Sequence, residues 1–225
     1  MRPNLIFQAL ALTLAFGALP AARADVIGGV NFPGGASSFA DQVVSYSPAG
    51  AAVTNPHKGA FNALGVPDYA GGNACANQAD CTFVSLGSGG SLVLRFTDNL
   101  LTGSGDNGLD LWIFEVGPDV EDTFVDISDD GITWHAVGKV FGATSGIDID
   151  AFGFGIGSTF GYVRLTDDPT EGGSTGGTAG ADIDAVGAIS TIRQTVDAPP
   201  TLALALAALG AMAGFRRSAP RSPRR

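Results

Sequence analysis

The sequence predicts an all-β fold, an antiparallel β-sandwich or jelly roll. Glycine accounts for 33 of the 225 residues, and short runs rich in Val, Ile, Phe and Thr recur between turn signals. Helical periodicity is absent from residues 25–195. That stretch is about 170 residues long, which is enough for one domain with a sizeable core.

The first strands follow from hydrophobic patterning. Residues 91–97 alternate between apolar and polar side chains, as in a strand with one buried face. Residues 109–116 are apolar on both faces apart from Asp110 and Glu115, as expected of a central strand between two layers. Later strands are predicted over two further apolar runs, 161–166 and 183–189.

The clearest local signal is a hairpin over residues 124–137. Two alternating runs flank Asp129-Asp130-Gly131, and glycine supplies the positive φ that a tight turn requires. We expect Trp134 to begin the return strand and to pack its ring into the sandwich.

The amino-terminal end has the features of a secretory signal. Arg2 precedes an apolar stretch over residues 5–18, and Ala22-Arg23-Ala24 supplies the small-x-small site that a signal peptidase requires before Asp25. We therefore predict that residues 1–24 are a signal peptide, that the chain is exported, and that residues 25–195 form the folded domain.

The carboxyl-terminal residues 196–225 have three parts in a fixed order. Asp197-Ala198-Pro199-Pro200 precedes an apolar run over 201–215, and five arginines follow. As a helix this run spans about 22 Å, less than the roughly 30 Å of a bilayer core. The two prolines keep the backbone before it extended and open to cleavage. We predict transient membrane association, the alternatives being a lasting tail anchor or a buried terminal helix.

This tail resembles the PEP-CTERM sorting signal, which exosortases read in Gram-negative bacteria that make exopolysaccharide. It departs from that signal in having no glutamate between its prolines. The resemblance implies processing by an exosortase as well as a signal peptidase, and export through the inner membrane. It also implies a final place at the cell surface, in the outer envelope or in the extracellular matrix, associated with exopolysaccharide or biofilm.

The predicted domain is strongly acidic. It contains 21 of the 22 acidic residues and only five basic ones, a formal charge of −16. Such a charge repels nucleic acid and anionic membrane surfaces. Because 19 of the 22 acids are aspartate, the composition favours loops and divalent-cation ligands. A solvated acidic surface without a specific site is the alternative.

Cys75 and Cys81 are the two cysteines of the chain. In an exported protein such a pair predicts a disulfide. Closing so small a loop stabilises by about 2 kcal/mol, so the bond would hold a loop and not the fold. Two thiolates with no histidine nearby do not suggest a metal site.

Two segments of the domain carry a second resemblance. Residues 125–138 and 160–165 resemble the hairpin and following strand of discoidin-like domains, which are galactose-binding-like jelly rolls, and residues 63–68 fit their first loop. The resemblance implies a structural Ca²⁺ between the first loop and the last strand. Asp68, Asp182 and Asp184 are then the predicted ligands, since residues two apart on a strand face the same side.

Two other segments suggest cation binding more weakly. Residues 103–110 look like one turn of the nonapeptide that binds Ca²⁺ in repeat toxins, but those sites need stacked repeats. Asp148-Ile149-Asp150 fits either a metal corner or a solvated strand edge. We favour a connecting loop for the first segment and a solvated edge for the second.

No catalytic residues are predicted. His57 and His135 are expected at the surface, and Asp110 and Glu115 are expected on opposite faces of their strand. The leading hypothesis is a non-catalytic exported protein of the cell surface or matrix. The alternatives are a Ca²⁺-dependent carbohydrate-binding or adhesion module, for which Tyr46 and Tyr69 in predicted loops are candidate stacking platforms, and a hydrolase.

Overall fold

A computed structural model describes residues 24–49, 53–71, 75–77, 79–116, 121–172 and 176–193, and for Arg193 the backbone alone. The predicted signal peptide up to residue 23, the motif at residues 197–200 and the predicted carboxyl-terminal helix lie outside these residues. Within the described ranges, no helix has the length and apolar character needed to cross a bilayer.

The described residues form short strands that pair antiparallel throughout. In chain order they are β1 (Asp25–Ile27), β2 (Val30–Phe32), β3 (Gln42–Ser47), β4 (Val84–Ser85), β5 (Ser91–Arg95), β6 (Asn99–Leu101), β7 (Leu111–Glu115), β8 (Thr123–Ser128), β9 (His135–Val140), β10 (Thr144–Ile147), β11 (Tyr162–Asp167), β12 (Asp182–Ala188) and β13 (Thr191–Arg193). Three 3₁₀ turns lie among them, Gly35–Ser38, Ala60–Ala63 and Asp150–Phe152.

Two larger sheets make up the sandwich. One has the strand order β10-β7-β12-β4 and the other β3-β5-β11-β8-β9. The β1–β2 hairpin and the β6–β13 pair are smaller sheets beside them. The prediction of an all-β antiparallel sandwich is therefore confirmed for the described residues.

Apolar side chains from both sheets form one core. Leu92 and Leu94 of β5, Leu165 of β11 and Ile113 of β7 are each at most 1% exposed. Burial of this kind supplies most of the favourable free energy of folding.

Strand β7 is apolar on both faces, as its sequence predicts. Ile113 lies in the main core, whereas Phe114 packs in a second cluster with Phe32 and Phe39. This second cluster includes Phe32 of the β1–β2 hairpin. Strand β7 therefore lies between two packed layers, because a strand buried on both faces must have other elements packed on each face.

The predicted hairpin is present, but Trp134 does not occupy its predicted place. Strands β8 and β9 pair as expected, and Gly131 has a φ of +74°. The return strand starts at His135, so Trp134 belongs to the turn and is only half-buried. The Arg164 guanidinium lies 4.6 Å from its ring centroid. The prediction that Trp134 packs into the sandwich is wrong because the turn is longer than the Asp-Gly signal suggests.

Candidate functional site

A groove opens at one end of the four-stranded sheet. Its lining includes Gly28, Pro67, Tyr69, Phe114, Glu115 and Asp184. Its volume is about 220 Å³, below the roughly 300–1,000 Å³ typical of pockets that enclose a drug-sized molecule. The groove therefore suits one ring or the end of a chain better than a large ligand.

Asp184 lies at an irregularity in β12 beside the groove. The register between β12 and β7 shifts between Ile183 and Ala185, which leaves Asp184 unpaired in a β-bulge. Its Oδ1 accepts the Asp68 amide at 3.2 Å and its Oδ2 accepts the Tyr69 amide at 3.3 Å. One buried carboxylate thus fastens the first loop to the last long strand and positions the backbone of Tyr69.

Burial raises the pKa of Asp184 to about 6. The two loop amides oppose this shift because they stabilise the charged form, while the Asp68 carboxylate adds to it. Asp68 and Asp184 therefore lie close enough to repel one another.

Asp182 belongs to a different set of neighbours. The Ser85 hydroxyl donates a hydrogen bond to its Oδ1, and Ser85 is also its pairing partner in β4. Burial raises the pKa of Asp182 to about 7; the Ser85 hydroxyl opposes the shift, and the charges of Glu121 and Asp167 increase it.

Glu115 and Glu121 lie beside Asp182. The Glu121 amide donates to Glu115 Oε1 at 2.9 Å, and the carboxyl groups of the two residues interact. Burial raises the pKa of Glu115 well above its usual range, and the charges of Glu121 and Asp182 raise it further. Burial and repulsion between neighbouring carboxylates both favour the protonated form. We call Glu115, Glu121 and Asp182 the edge carboxyl group.

The three predicted calcium ligands are therefore divided between two sets of neighbours. Asp68 and Asp184 meet at the first loop, whereas Asp182 joins the edge carboxyl group. In the described part of the chain they do not bring three carboxylate oxygens within 4.8 Å of one another. As placed, these residues do not form one coordination sphere, and calcium binding by them stays a prediction.

Sequence reasoning did not assign a role to Glu115 or Glu121. Both are at least 96% buried. Glu115 carried a usable signal, because an acid inside a strand that is apolar on both faces must be paired or neutralised when buried. Glu121 carried no such signal. It lies in a polar segment between β7 and β8, and only the fold brings it next to Glu115.

The two candidate tyrosines have different surroundings. Tyr46 lies in β3 and not in a loop, and its hydroxyl donates to the Ser85 carbonyl at 2.6 Å. The prediction of an exposed loop platform is therefore wrong for Tyr46. Burial and the nearby Asp182 raise the pKa of its hydroxyl to about 12. Tyr69 does lie in a loop, is 36% exposed, and meets Phe83 edge to face at 5.9 Å.

Cys75 and Cys81 form a disulfide, as predicted. Cys81 is 6% exposed and lies two residues before Phe83, the ring that supports Tyr69. The disulfide thus closes a small loop next to Phe83, which packs against the Tyr69 ring in the groove.

The two segments with weaker cation signals come together in the fold. Asp110, from the first segment, lies beside Asp148 and Asp150. Ile149, between those two aspartates, is fully buried, and both of its neighbours are partly buried. The interpretation of residues 148–150 as a solvated strand edge is wrong, because this edge packs against the loop that precedes β7.

No protein-family model matches this chain. No curated protein sequence matches it either. Among solved structures, the carboxyl-terminal domain of a chitobiase from Bacteroides fragilis is similar with a TM-score of 0.39 and 14% sequence identity, over 71% of this chain and 97% of that one. A likeness this weak assigns neither a family nor a function to this chain.

Proposed function

We propose that this chain is an exported, non-catalytic protein of the cell surface or extracellular matrix, sorted and cleaved by an exosortase at its tail. The disulfide between Cys75 and Cys81 is the observation that carries export, because such bonds persist in oxidising compartments outside the cytoplasm. The signal peptide expected at residues 1–24 and the sorting signal expected at residues 196–225 agree with it.

Mass spectrometry of the protein isolated from its native host tests the sorting. We expect an amino terminus at Asp25 and a carboxyl terminus near Pro199. A variant with Pro199→Ala and Pro200→Ala should retain its tail, whereas the matched control with Pro220→Ala and Pro223→Ala should be cleaved normally. Recovery of the wild-type chain with Arg225 intact would contradict the proposal.

The surroundings of the histidines support a non-catalytic role. The His57 ring stacks on Phe83 at 5.6 Å, and the His135 ring packs against Phe154 at 5.0 Å. A catalytic triad instead requires a histidine hydrogen-bonded to a serine and to an acid. Rings held against aromatic side chains in this way serve packing.

The acids of the groove also have structural partners. Glu115 accepts the backbone amide of Glu121, and the two oxygens of Asp184 accept the amides of Asp68 and Tyr69. Incubation with the host's own polysaccharide should therefore release no reducing ends. Release that disappears in Glu115→Gln or Asp184→Asn would establish a hydrolase and overturn this part of the proposal.

A second function, carbohydrate binding, is favoured by the composition of the groove. Tyr69 presents a partly exposed ring beside the carboxyl groups of Glu115 and Asp184. An apolar ring face together with a few fixed hydrogen-bonding groups is the usual composition of a small-ligand site. We therefore propose that the groove holds a terminal sugar ring of a surface polysaccharide.

Retention on immobilised polysaccharide from the host, with and without Ca²⁺, tests this second function. Tyr69→Ala should weaken binding about tenfold, corresponding to about 1.4 kcal/mol. Phe124→Ala is the matched control, since Phe124 is 43% exposed but lies on the five-stranded sheet. Equal retention of Tyr69→Ala and wild type would exclude this groove as the binding site.

A further inference from the structure

Two loops that are distant in the chain meet at the end of the four-stranded sheet where β7 begins and β10 ends. One connects β6 to β7 and ends at Asp110, and the other follows β10 and contains Asp148 and Asp150. Each of these aspartates places one carboxylate oxygen within 4.8 Å of the corresponding oxygens of the other two. We call these three residues the aspartate corner.

The core fixes the positions of the aspartate corner. The Asp110 amide donates to the Ile147 carbonyl at 2.8 Å, and its own carbonyl accepts the Ile189 amide at 2.7 Å. Ile149 is fully buried in the main core between the other two aspartates. The three carboxylates therefore meet because of the fold, and their proximity is not an accident of flexible loops.

Backbone amides occupy part of each carboxylate. The Ile149 amide donates to Asp110 Oδ2 at 3.0 Å, and the Asp150 amide donates to Asp148 Oδ1 at 2.9 Å. The Gly105 amide donates to Asp150 Oδ2 at 3.0 Å. These bonds orient the carboxylates and tie the two loops together.

Asp110 Oδ1 has no such partner. Asp110 is completely buried, and this oxygen accepts no hydrogen bond. A fully buried carboxylate oxygen without a donor is unfavourable. Because the Asp110 carboxylate also lies beside two further carboxylates, a cation is the partner that this arrangement lacks.

No charged side chain supplies that cation in the described part of the protein. The ion pairs found there join Lys139 to Asp122 and Asp168, and Arg164 to Asp126. We propose that the aspartate corner binds one Ca²⁺ ion through Asp110, Asp148 and Asp150, and that this ion clamps the loop before β7 to the loop after β10.

The chemistry of the donors selects Ca²⁺. All three are hard carboxylate oxygens, and the Phe154 carbonyl also lies against Gly103, beside Asp150 Oδ2. Ca²⁺ accepts such ligands at about 2.3–2.6 Å, so two of them can stand up to about 5 Å apart. Mg²⁺ needs a tighter, nearly octahedral set at about 2.0–2.1 Å and prefers to keep its waters. Oxygens that all lie within 4.8 Å of one another can bind one Ca²⁺ ion, and a site built from several protein oxygens suits Ca²⁺ better than Mg²⁺.

Calcium titration of the purified full chain after chelator treatment tests the proposal. Calorimetry should detect one ion bound at the aspartate corner. Ca²⁺ at about a hundredfold above its Kd should raise the melting temperature by about 5–10 °C. Asp148→Asn and Asp150→Asn should abolish both signals. Asp106→Asn, in the same glycine-rich loop but outside the aspartate corner, should leave them unchanged.

Asp110→Asn should change the melting temperature in opposite directions with and without Ca²⁺, which a purely structural role of Asp110 does not predict. Its side-chain oxygen can still accept the Ile149 amide, and its NH₂ group can donate to the neighbouring carboxylates. The variant should melt above wild type in EDTA and below wild type in Ca²⁺. The Asp110→Asn measurement tests the proposal even if Asp148→Asn or Asp150→Asn fails to fold.

Several outcomes overturn the proposal. The first is the absence of Ca²⁺ binding by the wild-type chain. Another is binding that survives in Asp148→Asn and Asp150→Asn but is lost in Asp184→Asn, which would assign the ion to the first loop. Equal or tighter binding of Mg²⁺ would refute the assignment to calcium.

Discussion

The edge carboxyl group and the aspartate corner are two clusters of acids in one sandwich, and they differ in how their charge is relieved. In the edge carboxyl group, burial and the charges of neighbouring acids raise the pKa of Glu115 well above its usual range and that of Asp182 to about 7. In the aspartate corner each carboxylate accepts a backbone amide, and one oxygen of Asp110 is buried without a donor.

The difference shows that crowding of acids does not by itself define a metal site. Buried carboxyl groups that lie beside one another relieve their repulsion by holding a proton. In the aspartate corner, backbone amides orient the carboxylates, and Asp110 Oδ1 has no donor in the described part of the protein. The first arrangement should respond to pH and the second to a divalent cation.

The largest expected effect is a loss of stability with rising pH through the edge carboxyl group. A folded-state pKa above the unfolded value contributes stability that is complete below the unfolded pKa and lost as pH rises through the folded one. For Asp182 the change from 3.8 to about 7 corresponds to on the order of 4 kcal/mol. Urea unfolding in EDTA should therefore give a falling free energy of unfolding between pH 5 and pH 8.

That pH window separates the edge carboxyl group from the surface acids. Backbone amides lower the pKa of Asp130 to about 2, and bonds from Thr170 and Lys139 lower that of Asp168 to about 2. Those groups titrate at lower pH. A profile that stays flat from pH 5 to pH 8 would show that the edge carboxyl group does not hold its proton as described.

A smaller effect is expected from filling the space beside the aspartate corner. A Cβ atom on Gly103 would clash with the Phe154 carbonyl oxygen and stand 2.6 Å from Asp150 Oδ2. Gly103→Ala should therefore lower the free energy of unfolding by about 1–3 kcal/mol and weaken calcium stabilisation, as measured by urea unfolding with and without Ca²⁺.

Gly157→Ala is the control for that substitution. Gly157 is exposed, and a Cβ atom there would meet nothing within 4 Å. Its stability and calcium response should match wild type. A Gly103→Ala protein with an unchanged calcium response would separate Gly103 from the metal site.

The smallest expected effect is a gain of stability from Asp182→Asn. The asparagine oxygen can still accept the Ser85 hydroxyl, while the charge that burial disfavours is removed. At pH 8 in EDTA the variant should be about 1–2 kcal/mol more stable than wild type, and its pH profile should be flatter. Because Asp182 lies outside the aspartate corner, its calcium-induced rise in melting temperature should equal that of wild type.

Local features of the fold were predictable from the chain. The alternation in residues 91–97, the apolar run in 109–116 and the Asp-Gly turn each correspond to an observed strand or hairpin. They were predictable because side-chain periodicity and turn geometry depend on neighbours in sequence. The position of Trp134 was not, since the turn extends over residues 132–134 as well and so leaves this side chain outside the strand.

The candidate sites were only partly predictable for a related reason. Asp182 and Asp184 stand two residues apart, yet a bulge and different neighbours give them different partners. Asp110 and Asp148 appeared in two unrelated weak signals, because no sequence pattern indicates that β10 pairs with β7.

The sequence by itself determined the all-β class, the pairing of the two cysteines and the abundance of aspartate, because composition, periodicity and the presence of only two cysteines are properties of the chain. Only the tertiary structure decided which aspartates meet, and which are buried with a proton or without a partner. The pKa and the cation affinity of a carboxylate depend on distances through space and on burial. Pairing between distant strands sets both.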